Sequence, residues 1–236
     1  MAAVDDIDEL LALARAVDLF AAIERISLEP DPEHAAALFG QLAKRLYSKE
    51  KSVSEAVATR RAGIQFCLCY TADATKRQAL RHQAKALAFN LGADTWPGWG
   101  DEGIVISASG LDGGLDAARL NLRLARELEK GPLAESRGHW LVGAHRLARA
   151  EEDAAFTEFS RARERARDAA DSQNELLNAG YAALIGTLGG RAEAQIEFSS
   201  VVERLRSTPG EDGPFFAEQL EKALAIFRAR REGAAP

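Results

Sequence analysis

Histidine, cysteine and glycine are the residues that would have to carry chemistry in this chain, and their spacing limits what they can do. The four histidines, His34, His82, His139 and His145, are dispersed. His139 and His145 lie six positions apart, off a shared helical face, and no His-x-x-x-His pair is present to hold zinc. The two cysteines are Cys67 and Cys69. Side chains two positions apart on a helix point about 200° from each other, so these thiols neither grip one metal ion nor close a disulfide in regular helix. They read as small apolar packers. The glycines of Ser107–Gly114 precede a helix, where backbone amides can hold a phosphate. A nucleotide loop needs Gly-Lys-Ser/Thr after its glycines and a strand before them, and both are missing, so the stretch reads as a turn and helix cap. No serine, cysteine or threonine sits in a recognisable nucleophile elbow. The expectation is no catalytic residue, no metal and no cofactor. An enzyme whose groups meet only in the folded cavity stays open as an alternative.

Two patterns suit binding better than reaction. Trp96 and Trp99 flank Pro97-Gly98 within a glycine-dense segment, residues 93–114, that interrupts the helical pattern. A link of this length is unusual between helices, where about 2–8 residues suffice. Its tryptophans either anchor a partner or pin the loop to its own protein, and self-packing is the preferred reading of the two. A brief extended piece is expected at Ile104-Val105-Ile106. The second pattern is charge. Residues 1–40 carry nine acids against Arg15 and Arg25, and residues 41–90 carry ten bases against three acids. The basic segment, through Arg60, Arg61, Arg77, Arg81 and Lys85, could attract nucleic acid or an acidic partner. An equal and opposite charge lies next to it in the chain, so internal pairing is the simpler account and nucleic acid is not the expected partner.

The elements that position these residues are helices. Apolar side chains recur every three or four positions almost throughout. At 236 residues, with a hydrophobic fraction of 47% and only 7 prolines, the composition is globular and favours helix. The first helix is expected over 5–26, with Asp5, Asp6 and Asp8 at its positive end. Asp31 and Pro32 start a second that runs to Ser48. Ser52 or Ser54 caps a third, and Asp73 opens a fourth that stops at Gly92. After the 93–114 loop, helices are expected over 115–130, 134–150 and 152–170. Three more follow Asp171-Ser172, Gly189-Gly190 and Thr208-Pro209-Gly210. The result is an all-α α-solenoid of about ten helices in stacked antiparallel hairpins. It is expected as a single domain over 1–236, with N-terminal hairpins at 1–92 and further hairpins with a C-terminal capping helix at 115–236. Met1–Asp6 lacks the basic-then-apolar order of a signal peptide. No apolar run approaches the ~18 residues of a membrane span, so the expected location is the cytoplasm.

Two stretches share one set of small and aromatic residues. Gly143 is followed by Ala155, Phe159 and Ala162, and Ala182 by Ala194, Phe198 and Val201, at identical offsets. Residues 134–207 thereby resemble tetratricopeptide repeats, in which small residues let two helices approach and an aromatic fills the space between hairpins. The 39-residue spacing from Gly143 to Ala182 exceeds the family's usual ~34, and the family's closing proline is absent. The resemblance implies a concave, partner-binding face. Arg137 and Trp140 would lie on it in the first repeat, and Ala179, Ala183 and Gly186 in the second. The function it implies is a non-catalytic scaffold for a protein or peptide. A symmetric homodimer through an exposed hairpin face is a further option, and no membrane partner is expected.

Overall fold

The structure is a computed structural model and describes residues 7–233. Asp5 and Asp6, expected in the first helical turn, lie outside the described residues. Eleven α-helices and one 3-10 turn are found among the described residues, with no strand. Within each of the chain's two compact units every helix packs on its neighbour in sequence, so the all-α hairpin arrangement holds. The chain forms two compact units, Met1–Thr95 with Gly103–Leu128, and Trp96–Glu102 with Glu129–Pro236.

The first unit contains α1 (Ile7–Ala16), α2 (Leu19–Ser27), α3 (Pro32–Ser48), α4 (Val53–Cys69), α5 (Ala74–Asp94) and α6 (Ala108–Glu127). The expected helix over 5–26 is in fact two. Asp18 adopts an extended conformation and its carboxylate accepts from the Ala21 amide at 2.8 Å, which starts α2 afresh. The other starts follow the acidic caps: Asp31 accepts from Glu33, and Asp73 from Thr75 and Lys76. Leu10, Ile26, Phe39, Leu42 and Leu46 form one core where α1 to α4 meet. Cys67, Leu80, Leu87, Leu91 and Leu124 form another among α4, α5 and α6. Each such leucine gains about 1.5–3 kcal/mol on burial. Burial pushes the Cys67 thiol up to about 12, which suits an inert packing residue.

The helix-free reading of 93–114 is corrected. Helix α5 continues through Asp94, Pro97–Trp99 forms the 3-10 turn, and α6 begins at Ala108, seven residues before the expected start. Ser107 caps α6 by accepting from the Gly110 amide at 3.0 Å. The glycines that argued against helix are therefore inside one. Ile104–Ile106 forms no strand.

The second unit contains α7 (Pro132–Ala148), α8 (Glu152–Asp168), α9 (Ser172–Leu188), α10 (Ala192–Arg206) and α11 (Asp212–Arg231). The links after α7, α8 and α9 each place one residue in the left-handed region: Ala150 (φ 58°), Ala170 (φ 54°) and Gly190 (φ 75°). These are spaced twenty residues apart, so the helix-and-link unit repeats with that period and the hairpin with twice it. Gly143 lets α7 and α8 close together. A Cβ there would sit 2.9 Å from the Phe159 ring. Phe159 and Tyr181 then stack at 5.0 Å, which ties α8 to α9. No helix among the described residues is long and apolar enough to cross a membrane.

Candidate functional site

The site is built on the second unit, in two places. The first is an aromatic knot. Trp96 is 1% exposed, and its ring meets Trp99 at 4.9 Å, Trp140 at 5.5 Å and Tyr181 at 5.9 Å, mostly edge to face. Its indole N–H donates to the Ala144 carbonyl on α7 at 3.1 Å. Gly98 is required beneath the ring, since a Cβ there would overlap it. The Gln219 amide on α11 donates to the Tyr181 hydroxyl at 2.7 Å, and burial pushes that phenol up. The seven residues 96–102 thus lie against the α7 face that carries Trp140, and against α11. Trp99 is half-buried, whereas Arg137 is exposed on α7.

The second place is a groove of about 460 Å³ between α8 and α10, floored by α9. Helices packed side by side sit about 8–10 Å apart. Two that flank a third therefore leave a channel wherever the third presents short side chains. Ala179, Ala182 and Ala183 are those side chains. Ala179 and Ala183, expected on the concave face, lie at the bottom of this groove instead of beside Trp140. Phe156 stands on the rim and is 46% exposed. Arg163, Arg167 and Arg191 also line it, with Glu164, Glu193 and Glu197. Arg167 donates to Glu175 at 2.7 Å and Arg163 approaches the same carboxylate at 3.6 Å. The Arg167 hydrogen bond and both charges hold Glu175 below the usual carboxylate range. Arg191 packs over Gly186 and has no carboxylate partner among the described residues.

Beneath the groove wall, α7 is clasped to α8 by the buried His139, whose Nδ1 donates to Glu158 at 2.6 Å. Burial alone would raise Glu158, but the His139 hydrogen bond and the His139 and Arg161 charges outweigh it and the carboxylate is lowered. Sequence reasoning missed Phe156, the arginine rim and this clasp.

The basic candidates are dispersed over the first unit. Arg60 is buried and donates to Asp94 at 2.5 and 3.0 Å. Arg81 is paired with Glu127. Arg77 is exposed and Lys85 half-buried. Charge from the acidic N-terminal segment meets the basic one at Asp8–Arg45 and Asp31–Lys76, each 3.2 Å. Among the described residues no group of three or more histidine, cysteine or carboxylate side chains could hold a metal ion.

The fold and groove define an all-helical protein of consecutive hairpins with a cleft between alternate helices. No protein-family model matches the sequence, and no curated protein matches it either.

Proposed function

We propose that this chain is a non-catalytic scaffold, similar to tetratricopeptide-repeat proteins and cytoplasmic, that holds a peptide or protein segment in the α8–α9–α10 groove. The observation that carries this is the alanine floor of Ala179, Ala182 and Ala183 below an exposed phenylalanine and a row of arginines. Short side chains let a ligand backbone come close, Phe156 supplies an aromatic anchor, and arginine is the cation most used at interfaces. Arg191 would take a carboxylate of the partner. The face of α7 that carries Trp140 is filled by the protein's own Trp96, so it contributes support for the groove in place of ligand contact.

The test is a random peptide library displayed on phage and panned against the purified chain. Enriched peptides are expected to bind with micromolar affinity. The exposed substitutions Phe156→Ser and Arg191→Glu are each expected to weaken them about tenfold, the cost of losing one anchor. Both variants should keep the native circular dichroism spectrum. Peptides that bind both folded variants as tightly as the original chain would overturn the assignment.

A further inference from the structure

The first unit holds a cavity that peptide binding does not use. It measures about 590 Å³ and opens between the start of α4 and the segment that leads into α6. Its polar lining is Lys51, Arg61 and the hydroxyl side chains of Ser52, Ser54, Ser107 and Ser109. Among the described residues that line it there is no carboxylate. Neither Lys51 nor Arg61 forms an ion pair within the described residues, unlike Arg60 and Arg81 nearby in sequence. Two unneutralised cations facing one cavity repel each other, and a bound anion would relieve that cost.

The Arg61 guanidinium lies over Gly113 of α6, in the space a Cβ there would occupy. Val53, Val57 and Val105 give the same cavity an apolar side, and Val105 is 83% exposed.

We infer that this cavity binds a small phosphate monoester that carries a compact apolar body. A phosphate monoester has a charge of about −1.5 to −2 and three acceptor oxygens near neutral pH, which matches two cations, the Ser54 hydroxyl and the one proton left by the Ser107–Ser109 hydrogen bond, Ser52 being engaged by Glu55. A monocarboxylate would leave one cation uncompensated. A bare phosphate would leave the valine side and much of the volume empty.

Phenyl phosphate is the probe, titrated into the full chain by calorimetry at physiological ionic strength, with inorganic phosphate and benzyl alcohol as its separate halves. Saturable binding of phenyl phosphate is expected, tighter than inorganic phosphate, with none for benzyl alcohol. Arg61→Gln and Lys51→Gln should each weaken it about tenfold or more, the loss of one charge-assisted hydrogen bond. Lys49→Gln, an exposed cation outside the cavity, should leave it unchanged. Thermal melts confirm that each variant is folded. The inference is overturned by no saturable binding up to about 10 mM, by binding that survives both cavity substitutions, or by an equal loss in Lys49→Gln.

Discussion

Replacing Trp96 by alanine tests whether the 96–102 strap is a structural part of the second unit. Trp96 is almost wholly enclosed, touches Trp99, Trp140, Tyr181 and Phe227, and donates one hydrogen bond to α7. Deleting a fully buried tryptophan costs about 3–5 kcal/mol, and the lost indole hydrogen bond is part of that figure. The Ala144 carbonyl stays within α7, so little further penalty falls on the acceptor. Trp99 is half-buried and should cost about half as much on truncation. All three tryptophans of the chain lie in this one knot, so their fluorescence follows the second unit while circular dichroism follows both. In a urea titration with a slope of roughly 2 kcal/mol per molar, Trp96→Ala should lower the fluorescence midpoint by about 1.5–2.5 M. Trp99→Ala should lower it by about half that. A shift no larger for Trp96→Ala than for Trp99→Ala would refute the reasoning.

Two other perturbations follow from the same unit. Glu158 is held below its usual value in the folded state, so its contribution is complete above the unfolded glutamate value near 4.5 and is lost as pH falls through the lower folded value. Glu158→Gln should therefore lose stability at neutral pH and show a shallower fall between pH 5 and 3, each of these about one unit either side of the free carboxyl, than the original chain in parallel thermal melts; identical slopes would show that the clasp carries no linkage. Ala150 and Ala170 occupy the left-handed region that Gly190 occupies without strain. Ala150→Gly and Ala170→Gly should each raise stability by about 0.5–1 kcal/mol in urea unfolding, and a loss of stability in both would contradict the strain argument.

Much of the fold could be read from polar punctuation. Asp31, Asp73 and Asp171 each announced a helix start and each accepts from an amide of the first turn. The break at Asp18 escaped because the apolar stripe runs on through Val17 and Ala21, and periodicity does not register a single capping residue inside it. The early start of α6 escaped for a different reason. Glycine density at Gly110, Gly113 and Gly114 disfavours helix locally, but all three are buried within α6 and packing overrides propensity. In the candidate site, Trp96, Trp140, Ala179 and Ala183 could be singled out by type and offset. Their division between a buried knot and an open groove could not, because it depends on how far α8 and α10 diverge across α9. That separation is set by packing among three helices and leaves no trace in the local spacing of any one.

The strap has a consequence for how this chain can be taken apart. The polypeptide enters the second unit at Trp96, returns to the first at Gly103 and leaves it again after Leu128. No single scission, by a protease or by a recombination event, can release both units whole. A cut before residue 96 strips α6 from the first, and a cut after residue 128 takes the tryptophan strap from the second. During synthesis the first unit is likewise incomplete until α6 has emerged, by which time the strap has been made and its seat on α7 has not. Either cut leaves one unit whole, and both are complete together only when the 129–236 fragment is supplied with the strap as a separate seven-residue peptide.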